Sequence, residues 1–335
     1  MQAVMAKGGL SAEASGAFFL AEVPDPVPGP WDLLVRVAAV SVNPVDTKVH
    51  ERMAPGEEHI LGYDAVGTVA AVGEAATGFA PGDRVYYAGD VTRPGSDAAL
   101  HLVDARIAAR APQTLDEAAA AAMPLTSLTA YEALFDRLGL TDAAGANAGR
   151  EVLVVGGAGG VGSIAIQLAA WAGARVIATA SRPESAAWCR ELGAHLVLDH
   201  TKDMPAALRA SGISDVGAIF CTTHMETHWQ AMAAMIAPQG AVCLIDDPSG
   251  PLDITVFKSR CASIRWEFMF CRSMYKTADM ARQGGILARV AALLDSGIVR
   301  PTLGKTRHGL DPAVFAKAHI AQRSGRMVGK QVVVF

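Results

Sequence analysis

"VLVVGGAGGVGSIAIQLA", residues 152–169, joins an aliphatic run, a glycine cluster and an apolar helical pattern. Within the cluster, Gly157, Gly159 and Gly162 have the spacing G-x-G-x-x-G after a predicted strand and at the start of a predicted helix. We interpret Gly157 as a sharp turn, Gly159 as the point where backbone amides approach a pyrophosphate, and Gly162 as a close packing position. The stretch therefore predicts a dinucleotide site at a helix N-terminus, with a plain glycine turn as the alternative.

Strand-like and helix-like patterns alternate along the chain from residue 151 onward. The strand-like segments are "EVLVV", "ARVIATA", "HLVLD", "DVGAIF", "AVCLI" and "ASIRWEFM", and helix-like segments such as "ESAAWCREL" and "HWQAMAAMI" lie between them. This alternation predicts a parallel sheet covered by helices. The tail adds predicted helices near 279–296 and 311–322 and a last strand, "KQVVVF".

The first part of the chain has a different pattern. Residues 1–110 are rich in proline and glycine and carry short alternating apolar runs, such as "LLVRVAAVSV" at 33–42, which predict a mainly β domain. Thr114 and Glu117 then have capping-box spacing before an alanine-rich run, which predicts a helix beginning there. A chain of 335 residues with these two halves favours two domains in the α/β class.

The composition argues against nucleic-acid and membrane partners. The net charge of −4 provides no basic field for a polyanion, and no uninterrupted apolar segment is long enough to span a bilayer. The N-terminal "MQAVMAKGGL" lacks the charged and apolar regions of a signal peptide, and the five cysteines stand singly. We therefore predict a cytoplasmic protein with free thiols that acts on a small-molecule substrate.

The end of the second predicted strand indicates which dinucleotide binds. Enzymes that use NAD place an Asp or Glu there, roughly 20 residues beyond the glycines, to bind the ribose 2′-hydroxyl. Here Ser181 and Arg182 stand at that position, and a hydroxyl beside a guanidinium suits a 2′-phosphate. This pattern predicts NADPH. The alternative is that Arg182 is solvated and Glu184, in the next helix start, takes the acidic role.

Several motifs together carry a family resemblance. They are "SVNPVDTK" (41–48), "LGYDAVGTVAAVG" (61–73), "PGDRVY" (81–86), "GGAGGVG" (156–162) and "GRMVGKQVVVF" (325–335). With these motifs the chain resembles the medium-chain dehydrogenase/reductase superfamily over nearly its whole length. It looks most like the quinone oxidoreductase branch, which includes zinc-type alcohol dehydrogenase-like proteins, and "SIRWEFMFCRSM" (263–274) is a further similar segment.

The resemblance implies a domain organisation. A GroES-like, β-rich catalytic domain would comprise residues 1–124 and 262–335, and it would be interrupted by a Rossmann domain with a doubly wound parallel sheet, residues 125–261. The Rossmann domain would bind NADPH. The resemblance also implies a homodimer formed by pairing the edge strands of two Rossmann sheets, with a tetramer as the alternative.

The resemblance further implies site residues. Asn43 and Asp46 would lie near the nicotinamide ribose and the substrate, Thr129 would hold the carboxamide, and His200 would lie near the adenine ribose, where it can help to hold a 2′-phosphate. The expected catalytic residues are Asn43, Asp46 and Tyr63. The expected cofactor-binding residues are Thr129, Gly157, Ala158, Gly159, Gly160, Val161, Gly162, Ser181, Arg182, His200, Thr222, Ile245, Met269 and Phe270.

The resemblance does not extend to the zinc ligands. Zinc-dependent relatives use a cysteine followed shortly by an acid, then a His-Glu pair, and this chain has Asn43 and then Tyr63 with Asp64 at those places. Asparagine and tyrosine are poor zinc ligands, so we expect no metal. Tyr63 occupies the position of a ligand histidine, where it either donates its phenolic proton to the substrate or packs in the wall of the cleft.

One further motif has the spacing of a metal site. "CTTHMETH" (221–228) places His224 and His228 four residues apart, which on a helix puts both on one face near Cys221. The segment also follows the predicted fourth strand of the parallel sheet, where the resemblance implies a loop beside the cofactor ribose. We interpret it as that loop and not as a metal site.

Three functions remain open from the sequence. The first is a zinc-independent, NADPH-dependent oxidoreductase that transfers hydride to a quinone or an α,β-unsaturated carbonyl. The second is a zinc-type alcohol dehydrogenase, against which the missing ligands count. The third is an NADPH-binding structural or regulatory protein with little turnover, because cofactor binding alone does not establish chemistry.

Overall fold

The computed structural model describes every residue from Met1 to Phe335. The chain begins with eight strands and three helices: β1 (Gln2–Lys7), β2 (Phe18–Glu22), β3 (Asp32–Val42), α1 (Pro44–Arg52), β4 (Glu58–Ile60), β5 (Ala65–Val72), β6 (Arg84–Tyr87), β7 (Leu100–Asp104), β8 (Ala108–Arg110), α2 (Glu117–Ala121) and α3 (Pro124–Tyr131). A 3₁₀ turn at Ala105–Ile107 and a π-helix at Glu132–Arg137 complete this part.

Strands and helices then alternate through the middle of the chain: β9 (Glu151–Val155), α4 (Gly160–Trp171), β10 (Arg175–Thr179), α5 (Pro183–Glu191), β11 (Leu196–Leu198), α6 (Met204–Ala210), β12 (Val216–Cys221), α7 (Met225–Met235), β13 (Ile236–Leu244) and β14 (Ser263–Trp266). A 3₁₀ helix at Ile254–Arg260 precedes β14. The tail contains α8 (Cys271–Met274), α9 (Arg282–Asp295), β15 (Leu303–His308), α10 (Pro312–Arg323) and β16 (Lys330–Val334).

These elements form two compact units. The β-rich unit comprises Met1–Leu128 and Phe270–Phe335, and the parallel-sheet unit comprises Thr129–Met269. The domain bounds predicted from the sequence, at 124/125 and 261/262, lie earlier in the chain at both junctions. None of the helices is both long and apolar enough to cross a membrane.

The parallel-sheet unit confirms the predicted doubly wound fold. Its six strands are parallel and have the order β11-β10-β9-β12-β13-β14, so the direction of winding reverses between β9 and β12. On one face, Met204 and Leu208 of α6 and Met225 and Trp229 of α7 pack in one apolar cluster with Leu153 of β9. Burial of both faces explains why these strands read as continuous apolar runs.

The β-rich unit brings the two ends of the chain together. Its largest sheet has the order β15-β16-β3-β5-β6-β8, with β7 also paired to β3, and a smaller sheet has the order β2-β1-β4. The last strand, β16, is antiparallel to β3, with Gln331 opposite Val42. This pairing places Lys330, at the start of β16, beside the residues that follow β3.

The helix predicted to begin at Thr114 begins later. Asp116 is the N-cap of α2, and its carboxylate accepts a hydrogen bond from the Ala119 amide at 2.8 Å. Thr114 instead donates its amide and its hydroxyl to Asp295 Oδ1, both at 2.9 Å. The predicted capping box was therefore wrong, because a tertiary partner binds Thr114 and leaves the capping role to an equally good N-cap residue two positions on.

Candidate functional site

The glycine cluster forms the connection between β9 and α4. Gly159 is the N-cap of α4, and the first helical hydrogen bond runs from the Ser163 amide to the Gly159 carbonyl at 2.8 Å. The sharp turn lies at Gly156, which has a φ of +81°, and not at Gly157 as the sequence predicted. Gly157 is instead required for packing, because a Cβ there would lie 2.8 Å from the Ala178 Cβ. The turn therefore lies at Gly156, one residue before the first glycine of the G-x-G-x-x-G motif.

The two remaining motif glycines differ in the space around them. A Cβ on Gly162 would lie 2.2 Å from the Gly156 carbonyl oxygen, so this helical residue touches the loop itself. A Cβ on Gly159 would meet only that same oxygen, at 3.5 Å. The amide end of α4 is therefore open at Gly159, and its first amides are free to donate to an anion. This bare backbone fits the pyrophosphate of a dinucleotide.

Hydrogen bonds from both neighbouring strands hold this loop. The Gly156 amide donates to Thr179 Oγ1 at the end of β10, at 3.0 Å. On the other side, the Thr222 hydroxyl, just after β12, donates to the Val155 carbonyl at 2.8 Å. The loop thus lies at the carboxyl ends of β9 and β12, where the winding reverses, and doubly wound sheets bind their ligands at such a point.

The expected 2′-phosphate residues lie at the next two strand ends. Ser181 is exposed and Arg182 half-buried at the N-cap of α5, after β10. His200, after β11, is also half-buried, and its pKa is lowered first by burial and further by the nearby charges of His224 and Arg182. Glu184 is exposed in the first turn of α5. The donors Ser181, Arg182 and His200 thus gather at one edge of the parallel-sheet unit.

The other expected cofactor residues are mostly buried. Thr129, Ala158, Met269 and Phe270 have little exposed surface, whereas Ile245, after β13, is half-buried. Met269 and Phe270 fall on opposite sides of the division between the two units. Their assignment to the cofactor stays a prediction.

A buried polar cluster lies in the β-rich unit. Lys330 Nζ donates to Asp64 Oδ2 at 3.2 Å and also to Asn43 Oδ1. Asn43 Nδ2 donates to the same Asp64 oxygen at 3.2 Å and to the Ser41 carbonyl at 2.9 Å. All three side chains are at most 4% exposed. The expected catalytic residue Asn43 is therefore fixed between a buried cation and a buried carboxylate.

Asp46 belongs to the same region but binds backbone. One carboxylate oxygen accepts a hydrogen bond from the backbone amide of Asn43 at 2.6 Å, and this bond caps α1. The other carboxylate oxygen accepts from the backbone amide of Gly62 at 3.1 Å. Burial raises the pKa of Asp46 to about 7 and that of Asp64 to about 6, although Lys330 acts in the opposite direction on both. Burial also lowers the pKa of Lys330. Asp46 thus fixes the backbone at Asn43 and at Gly62.

Tyr63 lies beside this cluster and is 4% exposed. Its ring meets that of Phe270 edge to face, with centroids 5.7 Å apart. Burial, together with the nearby carboxyls of Asp46 and Asp97, raises the pKa of the Tyr63 phenol above its ordinary value. The phenol therefore keeps its proton at neutral pH. Both interpretations of Tyr63, proton donor and packed wall, are compatible with this environment.

Asp97 and Ser96 form an unusual polar pair next to Tyr63. Both are buried, and neither Asp97 Oδ1 nor Ser96 Oγ has a hydrogen-bond partner. A Cβ on Gly62 would lie 2.4 Å from Asp97 Oδ1 and 2.8 Å from Ser96 Oγ, so both atoms face that glycine. Burial raises the pKa of Asp97 well above its ordinary value, and the nearby carboxyl of Asp46 raises it further.

The donor set does not fit a zinc ion. Asn43 already uses its amide nitrogen and oxygen within the protein, and Tyr63 is a neutral phenol. No group of three or more His, Cys, Asp or Glu side chains in the chain is arranged to hold a metal ion. Catalytic zinc needs three nitrogen, sulfur or carboxylate ligands, and these residues do not provide them.

Three residues of the site were not found from the sequence. The sequence singles out Asp64 only as the neighbour of Tyr63 and does not single out Lys330 or Asp97. The available signal was a charged residue beside an apolar strand pattern, as in "LGYDAVGTV" and "GKQVVVF". A charge beside such a strand has to be paired if it is buried, but the sequence does not identify the partner.

A glycine loop at the reversal point of a doubly wound sheet, in a chain with a separate β-rich unit, is typical of dinucleotide-dependent oxidoreductases. Two family models match the chain accordingly. The alcohol dehydrogenase GroES-like domain matches residues 29–104, and the zinc-binding dehydrogenase model matches residues 160–283.

Relatives match over almost the whole chain. A zinc-type alcohol dehydrogenase-like protein of Staphylococcus aureus is 38% identical over 96% of both chains. The chain therefore belongs to the medium-chain dehydrogenase/reductase superfamily, among its zinc-type alcohol dehydrogenase-like proteins. A quinone oxidoreductase of Lama guanicoe is 28% identical over 93% of this chain and 92% of its own. A 2-methylene-furan-3-one reductase of Solanum lycopersicum is 37% identical over 51% of this chain and 45% of its own.

Solved structures share the complete fold. A Rhizobium etli protein described as a zinc-dependent alcohol dehydrogenase has a TM-score of 0.94 and 46% identity, covering 100% of this chain and 98% of its own. A mycobacterial protein solved in complex with NADPH has a TM-score of 0.85 and 26% identity, covering 100% of both chains. The predicted superfamily and fold class are thus confirmed.

Proposed function

We propose that the protein transfers hydride from NADPH to a quinone or an α,β-unsaturated carbonyl without a metal ion. The observation that carries this proposal is the fixed role of Asn43, whose amide is hydrogen-bonded to Lys330 and Asp64 where zinc-dependent relatives have a ligand. An alcohol dehydrogenase of the zinc type needs a Lewis acid at that place. Quinones and enones need only a hydride and a proton donor.

The choice of NADPH rests on the end of β10. Ser181 and Arg182 offer a hydroxyl and a guanidinium, the donors that a 2′-phosphate requires. Glu184 lies in the first turn of α5 and is exposed. The mycobacterial neighbour solved with NADPH supports the same choice. Thr129, Thr222 and the glycine loop would hold the remainder of the cofactor.

Catalysis would combine positioning with one proton transfer. When bound, NADPH would supply a hydride to the quinone or to the β-carbon of an enone. Negative charge then develops on the acceptor oxygen, and the Tyr63 hydroxyl would donate its proton there, so hydride and proton together complete the two-electron reduction. Because the pKa of Tyr63 is raised, its phenolate would regain a proton from water. Asp46 and Asn43 would hold the backbone that carries this tyrosine.

The direct test is whether the protein consumes NADPH when a simple quinone is added. The nicotinamide absorbance monitors this reaction. We expect oxidation that continues unchanged when a strong chelator is added midway, and slower oxidation of NADH. Arrest by the chelator would contradict the metal-free proposal. A protein that binds NADPH but oxidises it with neither a quinone nor an enone would instead be the structural or regulatory NADPH-binding protein.

Tyr63→Phe tests the proton donor. We expect kcat with an enone to fall by about 100-fold, the lower range for loss of a general acid, while the KM for NADPH stays the same. Phenylalanine preserves the edge-to-face contact with Phe270. Tyr275→Phe, at a tyrosine that is 74% exposed, is the matched control. Full turnover by Tyr63→Phe would mean that this hydroxyl only packs in the wall.

The expected homodimer and the cytoplasmic location stay predictions. β14 lies at the edge of the parallel sheet, and Trp266 at its end is 53% exposed. An apolar edge strand of this kind is suited to pairing with a second copy.

A further inference from the structure

Two histidines meet at the edge of the parallel-sheet unit that carries Arg182, and a third, His224, lies near both of them. His200 follows β11, whereas His224 is the N-cap of α7 and His228 lies within its first turns. The rings of His200 and His228 meet edge to face with centroids 5.7 Å apart. His200 Nδ1 is buried without a hydrogen-bond partner. The pair of histidines in "CTTHMETH" is therefore joined by a third from a different strand end.

The loop that carries His224 lies against the glycine loop. A Cβ on Gly156 would lie 2.4 Å from Thr222 Oγ1 and 2.9 Å from Thr223 Cγ2. His224 itself has a φ of +48°, in the left-handed region that non-glycine residues rarely adopt. Residues held in such conformations concentrate at ligand-binding loops. The histidines are thus positioned beside the cofactor loop and not on a remote surface.

Charged side chains of both signs surround the cluster. His200 faces His224 and Arg182, and the only acid near it is Asp199, whose carboxylate also accepts from the Thr201 amide at 3.0 Å and lies 3.5 Å from Lys202 Nζ. His228 faces His200 and His224.

On α7, Glu226 lies near His224 and accepts a hydrogen bond from the Ser249 hydroxyl at 2.7 Å. Burial lowers the pKa of both His200 and His228, and the neighbouring histidines, together with Arg182 beside His200, lower it further, so the neutral form of each ring is favoured when no anion is present.

We propose that His200, His224 and His228 act with Arg182 as a proton-linked site for the 2′-phosphate, so that NADPH binds together with protons and NADH does not. This inference rests on the proposed use of NADPH. A dianionic phosphate beside the rings stabilises their protonated forms, and each ring that gains a proton offers a second N–H donor. By linkage, affinity for the phosphorylated cofactor then rises as the pH falls from 8 to 7.

Calorimetric titration of NADP⁺ and NAD⁺ in buffers of different ionisation enthalpy measures the protons taken up. We expect uptake of about half a proton or more with NADP⁺ at pH 7.5 and none with NAD⁺, and a Kd for NADP⁺ that tightens by about 3–10-fold from pH 8 to pH 7. His200→Asn and His228→Asn are each expected to reduce both effects. His308→Asn, at an exposed histidine of the β-rich unit, is the control.

The outcomes separate the inference from the proposal on which it rests. Tighter binding of NADP⁺ than of NAD⁺ with no proton uptake, or with uptake unchanged in both variants, would overturn the inference and leave the NADPH preference intact. Equal affinity for NADP⁺ and NAD⁺ at every pH would refute the NADPH preference itself. Stoichiometric Zn²⁺ binding that is lost in His228→Asn would make the cluster a metal site and would also overturn the inference.

Discussion

Lys330→Met is expected to lower the free energy of unfolding by about 3–5 kcal/mol, the usual cost of removing one partner of a buried ion pair. Lys330 is 4% exposed and Asp64 is fully buried, so neither charge has water to replace its partner. Asn43 would lose its cationic partner as well. Chemical denaturation in urea measures the loss as a lower midpoint.

The loss in free energy of unfolding caused by Lys330→Met should depend on pH in a defined direction. In the folded protein the pKa of Asp64 is about 6 and that of Asp46 is about 7, both above the ordinary value of 3.8. At pH values between 3.8 and these pKa values, the folded protein therefore binds more protons than the unfolded chain. Stability from these two groups is therefore present in acid and is lost as the pH rises through about 4–7. Without the Lys330 cation both pKa values rise further. The difference in free energy of unfolding between wild type and variant should therefore grow from pH 5 to pH 8.

Two further variants keep this prediction testable if Lys330→Met does not fold. Lys330→Met combined with Asp64→Asn removes both charges of the pair, and we expect it to be more stable than Lys330→Met alone. Lys305→Met changes an exposed lysine on the neighbouring strand β15, and its midpoint should match the wild type. Equal stability of Lys330→Met and wild type at pH 8 would show that the ion pair does not hold the cluster together.

Local patterns predicted the parallel-sheet unit almost completely. The alternation of apolar strands and amphipathic helices is set by burial within each segment, and the glycine spacing is set by one turn, so neither depends on distant residues. Both local errors fall at residues with a tertiary contact. Asp295 binds Thr114, and Asp116 caps the helix in its place. Gly157 lies close to Ala178, and the turn lies at Gly156.

The buried cluster could not be predicted in the same way. Lys330 reaches Asp64 only because β16 pairs with β3 and carries the last residues of the chain back to the residues that follow β3. Asp97 likewise approaches Gly62 through a loop contact. Pairings over such sequence distances are set by the tertiary fold, and the sequence around each residue contains only an unpaired charge next to an apolar run.

Gly159→Ala is expected to weaken NADPH binding by about 10²–10⁴-fold while leaving the fold intact. A methyl group at the N-cap of α4 lies where a pyrophosphate has to approach the backbone, so about two hydrogen bonds to a charged group are lost at roughly 1.5–3 kcal/mol each. The fold tolerates that methyl group, because a Cβ on Gly159 meets only the Gly156 oxygen, at 3.5 Å. Fluorescence titration with NADPH measures the affinity, and thermal melting should match the wild type.

Two other glycine variants separate a blocked site from a damaged fold. Gly162→Ala would place its Cβ 2.2 Å from the Gly156 oxygen, so we expect it to destabilise the unit itself by about 1–3 kcal/mol. Gly285→Ala, in α9, would meet no atom within 4 Å and should raise stability by up to about 1 kcal/mol without changing the affinity for NADPH. If Gly159→Ala binds NADPH as tightly as wild type, the pyrophosphate does not approach the N-terminus of α4, and the cofactor site assigned to the glycine loop is wrong.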